Sequence, residues 1–199
     1  MSISRRGRGF FEKSITPIVK LLAQLHVTPN MLTTAGLLLT ATATLCYYLS
    51  QADPVYFLVS GALLAAGSFL DGLDGSLARL LGSQSNFGAF LDSFTDRISD
   101  SLIVLGFLLS GAVDAVLALG MLASSMLVSY ARARAEGLGV SLKEVGVGER
   151  AVRLLAAIAA TFTAYINPLT LFAAAIFITV VSMITVVQRF IATAAALRR

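Results

Sequence analysis

Residues 54–79 read PVYFLVSGALLAAGSFLDGLDGSLAR, and residues 87–109 read FGAFLDSFTDRISDSLIVLGFLL. The first stretch runs 17 residues without a charge and then meets Asp71 and Asp74. The second opens on Asp92, Asp96, Arg97 and Asp100 and turns wholly apolar after Ser101. A membrane helix needs about 20 mostly apolar residues, so these stretches read as two spans whose acidic ends lie on one side of a bilayer. The whole chain agrees with that reading. It is 57% apolar and only 13% charged, where a soluble domain carries about 25% charged residues. A disordered chain, a disulfide-stapled secreted domain and an ordinary soluble enzyme are thereby excluded; the lone Cys46 has no internal disulfide partner.

Working outward, Met31 to Ala52 is charge-free over 22 residues and reads as span one, Pro54 to Leu70 as span two, the stretch from Phe87 as span three, and Asp114 to Arg134 as span four. Leu154 to Gln188 is charge-free over 35 residues. A single helix of that length would measure about 52 Å against a hydrocarbon core of about 30 Å. Asn167-Pro168 lies inside it, and proline disfavours helical geometry in the residue before it. The stretch therefore divides into span five, Gly148 to Ile166, and span six, Leu169 to Ile191. The fold expected is an all-α integral membrane protein, a single domain over residues 1–199. Residues 28–199 would form a six-transmembrane-helix bundle. Residues 1–27 would form an interfacial amphipathic helix, because Phe10, Phe11, Ile15, Ile18, Val19, Leu22 and Leu25 recur at helical spacing with Lys13 and Lys20 between them. Glu12, Lys13 and Lys20 interrupt this segment, and no small-residue cleavage pattern follows, so it does not read as a signal peptide. Tyr47, Tyr48, Tyr56 and Tyr165 fall near the outer ends of spans, as an aromatic belt would.

Six spans place all 15 Lys and Arg on one face and leave only Asp53 and Asp114 in the opposite loops. By the positive-inside rule that face is cytoplasmic. The expectation is a multi-pass protein of the cell membrane with both termini and the acidic patch in the cytoplasm, in contact with membrane lipids and with no nucleic-acid partner.

Carboxylates beside hydrocarbon are costly, so four together call for an explanation. Asp71 and Asp74 are three apart, and Asp92 and Asp96 four apart, so each pair shares a helix face. The short link from Gly82 to Asn86 makes spans two and three antiparallel neighbours, which brings the four aspartates to one end. Ion pairs with Arg79 and Arg97 alone would leave half of that charge uncompensated. Oxygen-only ligands favour hard divalent ions, Mg²⁺ or Mn²⁺. Two such cations would balance four carboxylates, and paired cations are a common device for displacement at phosphorus. Gly72, Gly75 and Ala78 keep the space among the aspartates free of bulk, and Gly88 would let the helices approach. A divalent-cation transporter is the alternative from another class; it would favour carboxylates at both faces or the midplane, and here they crowd one face.

The run Asp71-Gly72-Leu73-Asp74-Gly75-Ser76-Leu77-Ala78-Arg79, then eight residues, Gly88, three, Asp92, three, Asp96, resembles the signature of the CDP-alcohol phosphotransferases, with every signature position filled. The six-span layout resembles that family too. The resemblance implies an enzyme in which the hydroxyl of an alcohol attacks a CDP-linked lipid, CMP leaves and a phosphodiester forms. Carried over by position, it implies that Asp71, Asp74, Asp92 and Asp96 hold two divalent cations and that Asp96 is also the catalytic base. It implies that Gly75, Arg79 and Ser85 contact the CDP portion, and that Asn30, Met31, Leu32 and Thr33 line the cytidine pocket. A homodimer is a further implication.

A second charge cluster bears on the acceptor alcohol. Arg132 and Arg134 end span four, Glu149, Arg150 and Arg153 open span five, with Arg150 and Arg153 sharing a face, and Arg189 comes near the end of span six. Such a cluster suits an anionic second substrate. The runs Asp96-Arg97-Ile98-Ser99-Asp100, Ser129 to Glu136, Glu149 to Leu154 and Val187-Gln188-Arg189 resemble the prokaryotic phosphatidylinositol-phosphate synthase subfamily. That resemblance implies CDP-diacylglycerol and inositol 1-phosphate as substrates in phospholipid biosynthesis, with Arg132, Arg153 and Arg189 around the acceptor's phosphate. The position of Arg132 is commonly lysine in that subfamily, and arginine changes the donor geometry there. Glycerol 3-phosphate as acceptor, or an archaeal-type ether lipid as donor, would satisfy the same charges.

Overall fold

The computed structural model describes residues 15–143 and 145–198. Among them seven helices follow one another: α1 Ile15–Gln24, α2 Pro29–Leu49, α3 Val55–Leu81, α4 Asn86–Leu109, α5 Ala115–Glu136, α6 Arg150–Ala164 and α7 Leu169–Leu197. No strand occurs among the described residues.

The breaks have local causes. Pro29 sits in the first turn of α2, where its missing N–H costs nothing. Asp114 caps α5, its Oδ1 accepting from the N–H groups of Val116 at 2.8 Å and Leu117 at 2.9 Å. Asn167-Pro168 does separate α6 from α7, and Asn167 Oδ1 accepts from Leu169 N at 3.1 Å. Gly82 ends α3 in the left-handed region, at φ 61°, where a side chain would be strained.

Four helices, α2, α3, α5 and α7, are long and apolar enough to cross a membrane. The six spans expected from the sequence are thus met by four clear candidates. Helix α4 is long enough but carries Asp92, Asp96, Arg97 and Asp100 in its first half. Helix α6 has 15 residues, not the 19 expected, because the chain is extended before Arg150 and turns after Ala164. At about 1.5 Å per residue it spans about 22 Å. Span two is longer than expected: α3 runs through both aspartates to Leu81.

The main core gathers Tyr47, Phe57, Leu64, Phe107, Met121, Leu171 and Ile178. Tyr47 is therefore no belt residue. It is fully buried, its ring meets Phe57 and Phe107 edge-on, and its hydroxyl is hydrogen-bonded to Thr161. A smaller core joins Ile15 and Val19 of α1 to Leu32, Leu73 and Leu77. Of the segment 1–27 expected to form an interfacial helix, Ile15–Gln24 is helical, while Phe10, Phe11, Glu12 and Lys13 lie outside the described residues.

Helix α2 packs closely on both α3 and α4. Contrary to the sequence expectation, α3 and α4 approach each other less closely than either approaches α2. The reason is visible between α2 and α3. Each of Gly36 and Gly67 faces the other's backbone carbonyl, and a Cβ on Gly67 would lie 3.0 Å from Gly36 O. Small residues let these two backbones close up, so α2 takes the position beside α3 and the acidic ends of α3 and α4 face each other across a gap.

Candidate active site

Asp71 and Asp74 reach into this gap from α3 and Asp92 from α4. One carboxylate oxygen of each lies within 4.8 Å of the others. Asp74 is buried, and its Oδ2 accepts from the Thr33 hydroxyl at 2.5 Å. Thr33 stands in the first turns of α2, so the helix that braces α3 and α4 also orients one of their carboxylates. A set of oxygen donors this compact, at the mouth of an apolar bundle, fits a hard divalent cation.

Asp96 lies one turn beyond Asp92 and is drawn towards cations of the chain itself. Arg97 Nη2 stands 3.2 Å from Asp96 Oδ2. Arg150 Nη1 stands 2.7 Å from Asp96 Oδ1 and also 2.7 Å from Asp71 Oδ2. Of these two contacts the one with Asp71 is aligned as a hydrogen bond, and Asp96 Oδ1 is buried without one among the described residues. Arg150 Nε and Arg153 Nη2 meet Asp100 at 3.3 and 3.0 Å. With all groups ionised, five aspartates face the guanidiniums of Arg97, Arg150 and Arg153, which leaves two negative charges for a divalent cation to balance.

Two residues of this network, Asp100 and Arg150, are not among the site residues expected from the sequence, although Arg150 belongs to the basic cluster that suits an anionic substrate. Asp100 continues the stripe of Asp92 and Asp96 at a further four-residue step, and Arg150 precedes Arg153 by one turn. Those spacings were the available signal.

Beside the acidic gap opens a cavity of about 700 Å³. Helix α4 lines it with Asp92 and Asp96, and α5, α6 and α7 line it with Arg132, Arg153 and Arg189. The three arginines are not equivalent. Arg132 is half-exposed and pairs with Glu136 at 2.9 Å. Arg153 is buried and also donates to Gly148 O at 2.8 Å. Arg189 is buried and donates to Val128 O at 2.6 Å and Val145 O at 3.0 Å. Arg153 and Arg189 therefore tie down the connection between α5 and α6 as well as charging the cavity. A second cavity, of about 320 Å³, lies between α1 and α3 beside Ser76 and Arg79. Arg79 Nη2 donates to Ser76 Oγ at 2.9 Å.

The remaining candidates fall near the site in different settings. Asn30 and Met31 are exposed in the first turn of α2. A Cβ on Gly88 would lie 3.9 Å from Asn30 Oδ1 and 3.2 Å from Ser85 Oγ. Leu32 is buried in the smaller core, where it supports the first turn of α2. Ser85 caps α4, accepting from Gly88 N at 3.0 Å. Gly75 lies one turn before Arg79, whose Nη1 a Cβ there would meet at 3.7 Å.

Residues 26–196 match the family model described as CDP-alcohol phosphatidyltransferase. The chain belongs to the CDP-alcohol phosphatidyltransferase family. Among relatives of this family, the archaetidylinositol phosphate synthase of Pyrococcus horikoshii is 44% identical over 138 residues, which cover 69% of this chain and 71% of that protein. The phosphatidylinositol phosphate synthase of Streptomyces avermitilis is 33% identical over 79% of this chain and 66% of its own. Crystal structures of the Mycobacterium tuberculosis phosphatidylinositol phosphate synthase, one with manganese and citrate and one with CDP-DAG bound, each match with a TM-score of 0.77 at 28% identity. Both cover 89% of this chain, and 88% and 92% of the respective crystal chains. The acidic signature and the helical fold thus point to one CDP-alcohol phosphatidyltransferase, with the oxygen-lined trio as its candidate cation site.

Proposed function

We propose that this phosphatidyltransferase moves the phosphatidyl group of CDP-diacylglycerol to inositol 1-phosphate, releasing CMP. The observation that carries the proposal is the 700 Å³ cavity, which sets Asp92 and Asp96 and the arginines 132, 153 and 189 around one space. An acceptor that offers a hydroxyl to Asp96 and a phosphate to arginines has the chemistry of a phosphorylated alcohol.

Asp71, Asp74 and Asp92, with Asp96 beside them, would hold two divalent cations, Mg²⁺ or Mn²⁺, the site's two uncompensated negative charges balancing one and the substrate's diphosphate the other. Bound there, the cations supply Lewis-acid neutralisation of the pyrophosphate charge. The chain does the rest. Thr33 fixes Asp74. Gly75, Arg79 and Ser85 contact the CDP portion, Arg79 from beside the α1–α3 cavity, and Asn30 and Met31 border the cytidine. Asp96 takes the proton of the attacking hydroxyl, and Arg132, Arg153 and Arg189 orient the acceptor's phosphate.

In this reading residues 1–199 form one domain and all six of α2 to α7 cross the membrane. Helix α4 enters with its acidic half at the cytoplasmic face, and α6 spans together with the non-helical residues that flank it. Helix α1 lies in the interface, packing Ile15 and Val19 on the bundle and turning Ile18 and Leu21 outward. Both termini are cytoplasmic. The active form is a homodimer, as the family resemblance implies. The Pyrococcus relative's name supports a second donor, an ether-linked CDP-lipid, at the same site.

The decisive experiment offers purified protein inositol 1-phosphate, free inositol, glycerol 3-phosphate and serine in parallel. Each is paired with CDP-diacylglycerol and with an ether-linked CDP-lipid, and CMP release is measured. Inositol 1-phosphate should be preferred. Preference for glycerol 3-phosphate would move the assignment within the family, and preference for free inositol or serine would remove the arginines from phosphate binding.

A further inference from the structure

Arg150 has no substrate contact in the function proposed above, yet it bridges three carboxylates. Its Nη1 lies 2.7 Å from Asp71 Oδ2 and 2.7 Å from Asp96 Oδ1, and its Nε lies 3.3 Å from Asp100 Oδ1. Asp71 is also one of the three residues whose oxygens gather within 4.8 Å. The same carboxylate therefore serves a guanidinium and a candidate cation site.

These two uses oppose each other. A guanidinium one carboxylate away repels a divalent cation and holds lone pairs that the cation would draw on. The link to Asp96 is one of charge without hydrogen-bond alignment, so it is the more readily exchanged of the two short contacts. Arg150 also lines the 700 Å³ cavity, which leaves its side chain room to turn.

We propose that Arg150 is a positioning residue that competes with the divalent cation for Asp71 and Asp96, and so sets the cation affinity of the site. Asp100 holds Arg150 in range through its Nε. The proposal rests on the reading of the aspartates as a cation site.

Full-length protein in detergent micelles is titrated with Mn²⁺, and free Mn²⁺ is followed by electron paramagnetic resonance. Wild type, Arg150→Gln, Arg150→Lys and Asp71→Asn are compared. Arg150→Gln should bind Mn²⁺ about tenfold to a hundredfold more tightly, the scale of one lost charge-assisted contact. Arg150→Lys should show a smaller tightening, because an ammonium keeps the charge but lacks the fork that reaches several carboxylates. Equal or weaker binding in Arg150→Gln would show a residue that merely scaffolds the carboxylates, and would overturn the proposal. Should Arg150→Gln fail to fold, Arg150→Lys decides by the same sign. If wild type shows no Mn²⁺ binding that Asp71→Asn reduces, the cation-site reading fails and takes this inference with it.

Discussion

Asp96 answers to two arginines and to the cavity at once, and that position separates it from Asp71, Asp74 and Asp92. If it is the base, Asp96→Asn should abolish CMP release while a substantial part of Mn²⁺ binding survives. Asp71→Asn should weaken cation and CDP-lipid binding together. Wild-type turnover in Asp96→Asn at saturating cation would remove Asp96 from the proton transfer. The arginines divide in the same way. Arg132 is half-exposed and, among the described residues, pairs on its own helix, so Arg132→Ala should raise the acceptor's KM and leave thermal stability unchanged. Arg153 is 5% exposed and satisfies both Asp100 and Gly148 O. Arg153→Ala should raise the same KM and in addition cost about 1–3 kcal/mol of stability, the usual penalty for stranding buried polar partners. Paired kinetic and unfolding measurements on the two variants test this split; equal stability losses would count against it.

At the scale of elements, α2 organises the site although it contributes no aspartate. It packs on α3 and α4 and sends Thr33 to Asp74. Its approach to α3 depends on Gly36 and Gly67, since a Cβ at Gly67 would meet a backbone oxygen at 3.0 Å, and a backbone oxygen is not easily moved aside. Gly67→Val should destabilise the protein by about 1–3 kcal/mol, as overpacking does. It should also lower Mn²⁺ affinity by shifting Thr33 away from Asp74. A melting curve and a Mn²⁺ titration on the same preparation check both; an unchanged melting point would mean that the two helices have slack. The connection between α5 and α6 is fastened differently. Gly148 N donates to Thr185 Oγ1 at 2.7 Å and Val147 N to Gln188 Oε1 at 3.2 Å, while Arg189 holds Val145 O. Helix α7 thus anchors one rim of the 700 Å³ cavity.

For the whole molecule, the sorting of charge predicts its orientation. The one native cysteine, Cys46, is buried, so Cys46→Ala gives a background for single-cysteine labelling. With all six helices crossing, Ser83→Cys and Ser141→Cys should react with an impermeant maleimide only when it has access to the cytoplasmic face. Gln51→Cys and Asn167→Cys should react only from the other. Reaction of Ser83 and Gln51 from the same side would contradict the crossing of α3. The charge balance also predicts metal dependence. With two uncompensated negative charges at the site, rigorous chelation should abolish CMP release and Mg²⁺ or Mn²⁺ should restore it; full activity after chelation would rule out the cation mechanism.

The sequence alone determined the membrane class, the helical fold, the break at Asn167-Pro168 and the acidic signature. Each depends on composition or on spacing within one helix, and both are written along the chain. Membership of the CDP-alcohol phosphatidyltransferases followed from the same spacing. What escaped it depends on contacts between helices far apart in sequence. The pairing of Arg150 with Asp71 spans 79 residues and that of Thr33 with Asp74 spans 41, and no periodicity signals either. The short link between α3 and α4 suggested close neighbours, but backbone packing at Gly36 and Gly67 favours α2 beside α3. Tyr47 looked like an interfacial residue because position along a span does not reveal rotation about its axis; packing turned it inward onto Thr161. Only the tertiary structure decided which arginines face the carboxylates and which hold the chain, because a guanidinium's long side chain can serve either use and its neighbours choose between them.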